Sequence, residues 1–142
     1  MVVNRLIPLF PLLISLEQSG YVEGRQILDG IILTHEVFHS LKTSKTLGII
    51  LKLELSKSFD KLSWAFIEKM LLDFGFCQDW VHWILSLISS ALFSILVNGS
   101  PSSTFSPSHG ILQGYPLSPF LFILMAKGLG CMIQSAPSKH SL

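Results

Sequence analysis

The chain's periodicities predict an α+β fold, with helices packed on a small incomplete antiparallel sheet. Three observations carry that prediction. Apolar residues recur at helical spacing in four separate stretches, an apolar run near residue 50 has the length of a buried strand, and Asn98-Gly99 closes an alternating stretch as a tight hairpin would.

The opening is irregular. Met1 to Arg5 leads into the run Leu6 to Ile14, which has a faint signal-peptide look. Pro8 and Pro11 interrupt it, and Ser15 leads into Leu16, Glu17 and Gln18 in place of a small-residue cleavage site. A helix is expected from Gln26 to Leu41, with Ile27 or Leu28, Ile31, Ile32, Phe38 and Leu41 on its apolar side, and a turn over Thr43 to Leu47. Gly48 to Leu55 reads as a strand buried along most of its length. Asp60 or Ser63 can cap the next helix, whose face is Trp64, Ile67, Leu71 and Phe74, and Gly75 closes it.

A further helix is expected from Asp79 to Ala91, through Trp80, Trp83, Ile84, Leu87 and Ile88. The stretch Val81 to Val97 also touches the lower length limit of a membrane span. Its period changes midway, however, because Phe93, Ile95 and Val97 alternate as in a strand and Asn98-Gly99 follows at once. A buried helix running into a hairpin is the better reading, and a span over about 81–97 stays as the alternative. Pro101 to Pro107 reads as a loop around one short strand. Ser118-Pro119 then starts a helix, cap followed by first-turn proline, that buries Phe120, Leu121, Leu124 and Met125 and ends near Gly128 or Gly130.

Composition narrows the function classes. The 142 residues suffice for one domain; 49% are apolar and 13% charged, where roughly a quarter charged is usual. Such a chain suits a membrane protein or an inner fragment whose missing parts would cover apolar surface. The net charge of +1 argues against a free-standing, strongly basic nucleic-acid binder. Cys77 and Cys131 lie far apart without CxxC or Cys/His clustering, which suits two reduced, buried thiols and an intracellular setting, cytoplasm or nucleus.

Three segments carry a resemblance. The first is Leu13-Ile-Ser-Leu-Glu-Gln-Ser-Gly-Tyr-Val-Glu-Gly-Arg25, with Ile27-Leu-Asp29 behind it. The second is Leu51-Lys-Leu-Glu-Leu-Ser-Lys-Ser-Phe-Asp60, followed by Trp64. The third joins Leu96-Val-Asn-Gly-Ser100 to Gly110-Ile-Leu-Gln-Gly-Tyr-Pro-Leu-Ser-Pro119 and Phe122-Ile-Leu124. In order and separation they resemble the reverse transcriptase domain of LINE-type (non-LTR) retrotransposons: a finger segment, polymerase motif A and motif B. The resemblance implies part of the fingers and palm of a right-hand polymerase. The finger segment would cover about 5–42, motif A about 48–60, palm helices about 61–91, the hairpin about 92–107 and motif B about 110–134.

By the same resemblance, such enzymes add deoxynucleotides to a DNA primer on an RNA template, using Mg²⁺ held by one carboxylate from motif A and two from a later motif C. Glu54 occupies the motif A position, where the family has aspartate, and no two acidic residues are adjacent anywhere in the sequence. The expectation is a domain truncated before motif C, a metal site that is incomplete at Glu54, and a chain that does not polymerise by itself. Phe59 matches the ring that screens the sugar 2′-position, with core packing beside Trp64 as its alternative; Asp60 matches the acid after it, with helix capping as its alternative. Lys57 could face phosphate. Gln113 and Gly114 match the loop that lies against nucleotide and template base, although Leu112 and Tyr115 replace the family's charged neighbours. Arg25 matches a finger arginine facing template or triphosphate, or else pairs with Glu23 or Asp29 on the surface. His35, His39, His82, His109 and His140 receive no role.

Two non-enzymatic readings accompany the polymerase fragment. One is a nucleic-acid-binding or interaction remnant using Arg25, Lys52 and Lys57; the other is the small membrane protein already mentioned. An unpaired sheet edge and bare apolar helix faces also predict self-association.

Overall fold

The structure, a computed structural model, describes residues 2–45, 47–50 and 52–136. Leu51, inside the expected strand, Thr46, inside the expected turn, and His140 lie outside the described residues. The chain forms two compact units, Met1–Ser56 and Lys57–Leu142.

In the first unit, helix α1 (Val2–Leu6) runs through a 3-10 turn (Ile7–Leu9) into α2 (Phe10–Leu13). Pro8 and Pro11 do not break this run, because each falls in a first turn, where a missing N–H leaves no bond unmade. Leu6, Phe10 and Ile14, spaced four apart, are buried together with Val22. Helix α3 (Ile27–Ser44) starts where the Gln26 N–H donates to Asp29 Oδ2 at 3.2 Å, and runs three residues beyond the expected Leu41. Its apolar side is present but uncovered: Ile27, Leu28, Ile31, Ile32 and Phe38 are all at least half exposed, and no α3 residue is buried.

The strand expected over Gly48–Leu55 does not form among the described residues of that range. Residues 47–50 and 52–55 carry no regular structure, and Ile49 and Leu53 are 96% and 72% exposed. A buried strand exists through its ladder partners. Among the described residues the paired strands are those of the hairpin below, so nothing holds this segment in a sheet. Intrinsic strand preference spans only about 1 kcal/mol and does not replace that ladder.

In the second unit, α4 (Trp64–Asp73) follows Ser63, not Asp60, so the capping expectation for Asp60 fails. Gly75, at φ +86°, closes it with the Phe76 N–H donating to the Leu71 carbonyl at 3.1 Å. Helix α5 (Gln78–Ser89) buries Val81, Ile84 and Ile88, while Trp83 faces outward. It stops short of Ala91, and the chain then extends toward the hairpin, so residues 81–97 are not one continuous helix and the expected alternative span is absent. Strands β1 (Leu96–Val97) and β2 (Ser100–Pro101) pair antiparallel, Leu96 opposite Pro101 and Val97 opposite Ser100. Asn98 (φ 50°) and Gly99 (φ 82°) both take the positive angles that a two-residue hairpin turn requires. Ser102 still pairs with Ile95, whereas Phe93 bridges Phe105, so the return side carries one extra residue between 102 and 105.

Helix α6 (Ser118–Ser135) starts at the expected place with a different cap: Leu117 holds the cap position, and Ser118 is buried with its hydroxyl unpartnered. It buries Leu121, Leu124 and Met125, leaves Phe120 half-buried, and is long and apolar enough to cross a membrane by length and composition, with a third of it buried inside the fold. Among the described residues α4 packs against both α5 and α6, and the hairpin ribbon makes no comparable contact with a helix. Among the described residues the architecture is mostly helical with one short antiparallel ribbon, whose two-residue strands offer no face broad enough to cover a helix.

Gly128 and Gly130 do not end α6. Gly128 is buried where the helix meets α4, and a Cβ built there would collide with Met70 Sδ. Gly128→Ala therefore gains about 1 kcal/mol of helix propensity but overpacks the contact at a cost of about 1–3 kcal/mol. The expected result is a net loss of stability in urea unfolding that becomes a net gain in a Met70→Ala background. Destabilisation of equal size in both backgrounds would show that the two residues do not oppose each other. Cys77 and Cys131, expected to be buried, are both exposed: Cys77 stands at the cap position of α5 and Cys131 in the last turns of α6.

Candidate functional site

Residues 57–61 fold into a tight turn, with the Lys61 N–H donating to the Lys57 carbonyl at 3.0 Å and Lys57 itself left-handed at φ 54°. That turn is clamped to the segment before α6. The Gly110 N–H donates to the Leu62 carbonyl at 2.7 Å, and the Ile111 N–H donates to the Phe59 carbonyl at 2.9 Å. The indole Nε1–H of Trp64 donates to the Gly110 carbonyl at 2.7 Å. All three bonds need the two backbones in close contact. Gly110 permits this: its φ is +86°, and a Cβ there would stand 2.8 Å from the Asp60 carbonyl oxygen.

The clamp brings Phe59 and Asp60 beside the loop carrying Gln113 and Gly114. Asp60 and Gln113 line one cleft of about 700 Å³, together with Phe93 and Phe105 of the hairpin region and His109. The two phenylalanine rings stack at 5.8 Å, and His109 Nδ1 lies 3.0 Å from the Ser108 hydroxyl. Gln113 and Gly114 are exposed, and Gly114, at φ +82°, has open space where a side chain would be. Phe59 is half-buried, with its ring stacked on Phe122 of α6 at 4.7 Å and 18°. The packing alternative expected for Phe59 named Trp64; the ring partner is Phe122.

Arg25 and Glu54 belong to the first unit. Arg25 makes no ion pair with Glu23 or Asp29. Its guanidinium donates to three backbone carbonyls, Ser15 (2.5 Å), Gln18 (2.7 Å) and Ile14 (3.3 Å), and so ties the loop before α3 back onto the end of α2. Glu54 is exposed in the irregular segment that replaced the expected strand. Among the described residues, no three His, Cys, Asp or Glu side chains gather where an ion could be held. Magnesium wants near-octahedral oxygen ligation, normally with more than one carboxylate or with substrate phosphates. The residues present do not fit a two-metal centre.

Sequence reasoning placed Trp64 on a helix face and Gly110 at the head of a motif, and missed that they bond to each other. They are 46 residues apart, and no spacing in a single sequence signals such a bond.

Known proteins resemble this chain over most of its length. Residues 1–141 match the family described as reverse transcriptase (RNA-dependent DNA polymerase). The chain is 31% identical over 124 residues to the Pol polyprotein of the type-2 retrotransposable element R2DM of Drosophila melanogaster, covering 87% of this chain and 11% of that protein. It is 29% identical over 123 residues to the Pol polyprotein of the type-1 element R2 of Popillia japonica, covering 84% and 17%. It is also 25% identical over 118 residues to the uncharacterized 149 kDa protein of transposon TX1 from Xenopus laevis, covering 83% and 9%. The chain thus spans less than a fifth of the length of each of these relatives. With that match extending over nearly every residue, the chain belongs to the reverse transcriptase family and is a partial domain of the non-LTR retrotransposon kind.

Proposed function

We propose that this chain is part of the fingers and palm of an RNA-directed DNA polymerase and does not extend primers by itself. The observation that carries the reading is the clamp at Gly110, which sets the Phe59 turn and the Gln113 loop against one cleft. Phe59 is then the ring that screens the sugar, held flat by Phe122, and Gln113 with Gly114 offers an amide and bare backbone to nucleotide and template base. Arg25 keeps unused N–H directions for phosphate, because only three of its donor contacts go to the loop. RNA template, DNA primer and Mg²⁺ are the partners this reading implies for the whole polymerase.

Nucleotide joining uses two divalent ions to hold the attacking and leaving oxygens. Glu54 is the one carboxylate this chain offers at a position where the family holds metal, and its side chain is a methylene longer than aspartate. Primer extension on an RNA template with Mg²⁺ or Mn²⁺ is expected to give no product, and Glu54→Asp is expected not to restore any, since the missing partners are unchanged. Extension by the 142-residue chain that disappears in Glu54→Ala would overturn the reading.

A further inference from the structure

Helix α3 carries the run His35-Glu36-Val37-Phe38-His39, two histidines four residues apart with a glutamate after the first. The polymerase reading uses none of these three side chains. On an α-helix, residues four apart stand one above the other with about 5–6 Å between Cβ atoms, a span over which two imidazoles grip one ion. Both histidines lie away from the ends of the 18-residue helix, and both are exposed. Among the described residues neither ring has a hydrogen-bond or ion-pair partner, so each keeps a nitrogen free for a ligand.

The ligand type selects the ion. Imidazole nitrogen suits zinc, copper and nickel, whereas Mg²⁺ takes oxygen. Glu36, three residues before His39, is placed to accept a hydrogen bond from water on the ion, since positions three apart are neighbours on the helix surface. A hydrolytic zinc centre has three protein ligands. Among the described residues no third His, Cys, Asp or Glu gathers with the pair, so solvent completes the coordination and the geometry points to binding alone. The helix is what gains. No residue of α3 is buried, so tertiary packing contributes little to it, and a helix of that kind is marginal in water. An ion gripped across one turn fixes that turn, because metal binding and folding are coupled.

We propose that His35 and His39 form a zinc-binding clip on α3, with Glu36 hydrogen-bonded to the water on the metal. Two imidazoles are half the ligand set of a structural zinc site, which places the dissociation constant on the order of 10 μM.

The test is titration of the 142-residue chain with zinc, in a Cys77→Ser/Cys131→Ser background that removes the two thiols as rival ligands. Calorimetry should show a zinc ion bound with a midpoint of about 10 μM. At ten times that concentration the amides of α3 should exchange about tenfold more slowly, while those of α4 and α6 keep their rates. His35→Ala and His39→Ala should each weaken binding by roughly tenfold or more. Both place alanine, the strongest helix former, at exposed positions, so the helix itself survives them. His39→Ala/Ser40→His keeps two histidines but sets them five apart, on different sides of the helix, and should bind as weakly as the single variants. Copper should bind more tightly than zinc, and an equal concentration of Mg²⁺ should not compete. No binding at about 200 μM zinc, some twenty times the expected midpoint, overturns the proposal. So does binding that survives both alanine variants, full binding by the five-apart pair, or displacement of zinc by equal Mg²⁺.

Discussion

Gly110→Ala is expected to cost more stability than any other single methyl group added to this chain. The position has φ +86°, where an L side chain is strained by about 1–2 kcal/mol. The added Cβ would also stand 2.8 Å from the Asp60 carbonyl oxygen and 3.1 Å from that of Phe59. Those atoms are backbone and cannot rotate away, so the 59–62 turn and the 110–111 segment must separate. Separation stretches the Gly110–Leu62 and Ile111–Phe59 bonds and leaves their polar groups short of partners. Summed with the strain, the loss is on the order of 3–4 kcal/mol, against the roughly 5–15 kcal/mol that holds a typical domain. Urea unfolding of the helical signal should show it as an earlier midpoint.

Trp64→Phe removes a single bond from the same clamp and should cost about 1–3 kcal/mol, since it strands the Gly110 carbonyl. The double variant should lose less than the two singles together, because once the backbones part the indole has no carbonyl to reach. Strict additivity would show that Trp64 and Gly110 act separately.

Arg25→Met is the second large expected effect. Its guanidinium bonds three carbonyls that span Ile14 to Gln18, and charge-assisted bonds are the strong ones. Arg25 is half-buried, so solvent screens part of the gain, and a loss of about 2–3 kcal/mol in local stability is the working figure. Hydrogen exchange at the amides of the 15–26 loop should quicken on the order of thirtyfold or more, while amides of α4 and α6 keep their rates. Arg25→Lys separates structure from binding. It keeps the charge but loses the planar fork, so a loop-holding arginine should be almost as damaged by lysine as by methionine. Unchanged exchange in both variants would return Arg25 to solvent-facing work alone.

The sequence alone determined the family and much of the local structure, because both are written in neighbouring residues. Asn98-Gly99 specified its hairpin turn, since few other pairs tolerate positive φ at both positions. Ile67 and Leu71 in α4, and Leu121, Leu124 and Met125 in α6, were legible as buried faces from spacing alone. Tertiary structure decided the rest. Whether 48–55 becomes a strand depends on ladder partners far away in sequence, and whether Gly128 ends a helix or lets Met70 approach depends on a residue in another helix. Phe59 could equally have screened a sugar or packed on a neighbour, and only the fold supplied Phe122. The contact of the 57–62 turn with the segment before α6 rests on Gly110 and Trp64, whose bond closes across 46 residues. Local preference acts over a few residues, whereas hydrogen bonds and packing act over a few ångströms, and folding alone converts one distance into the other.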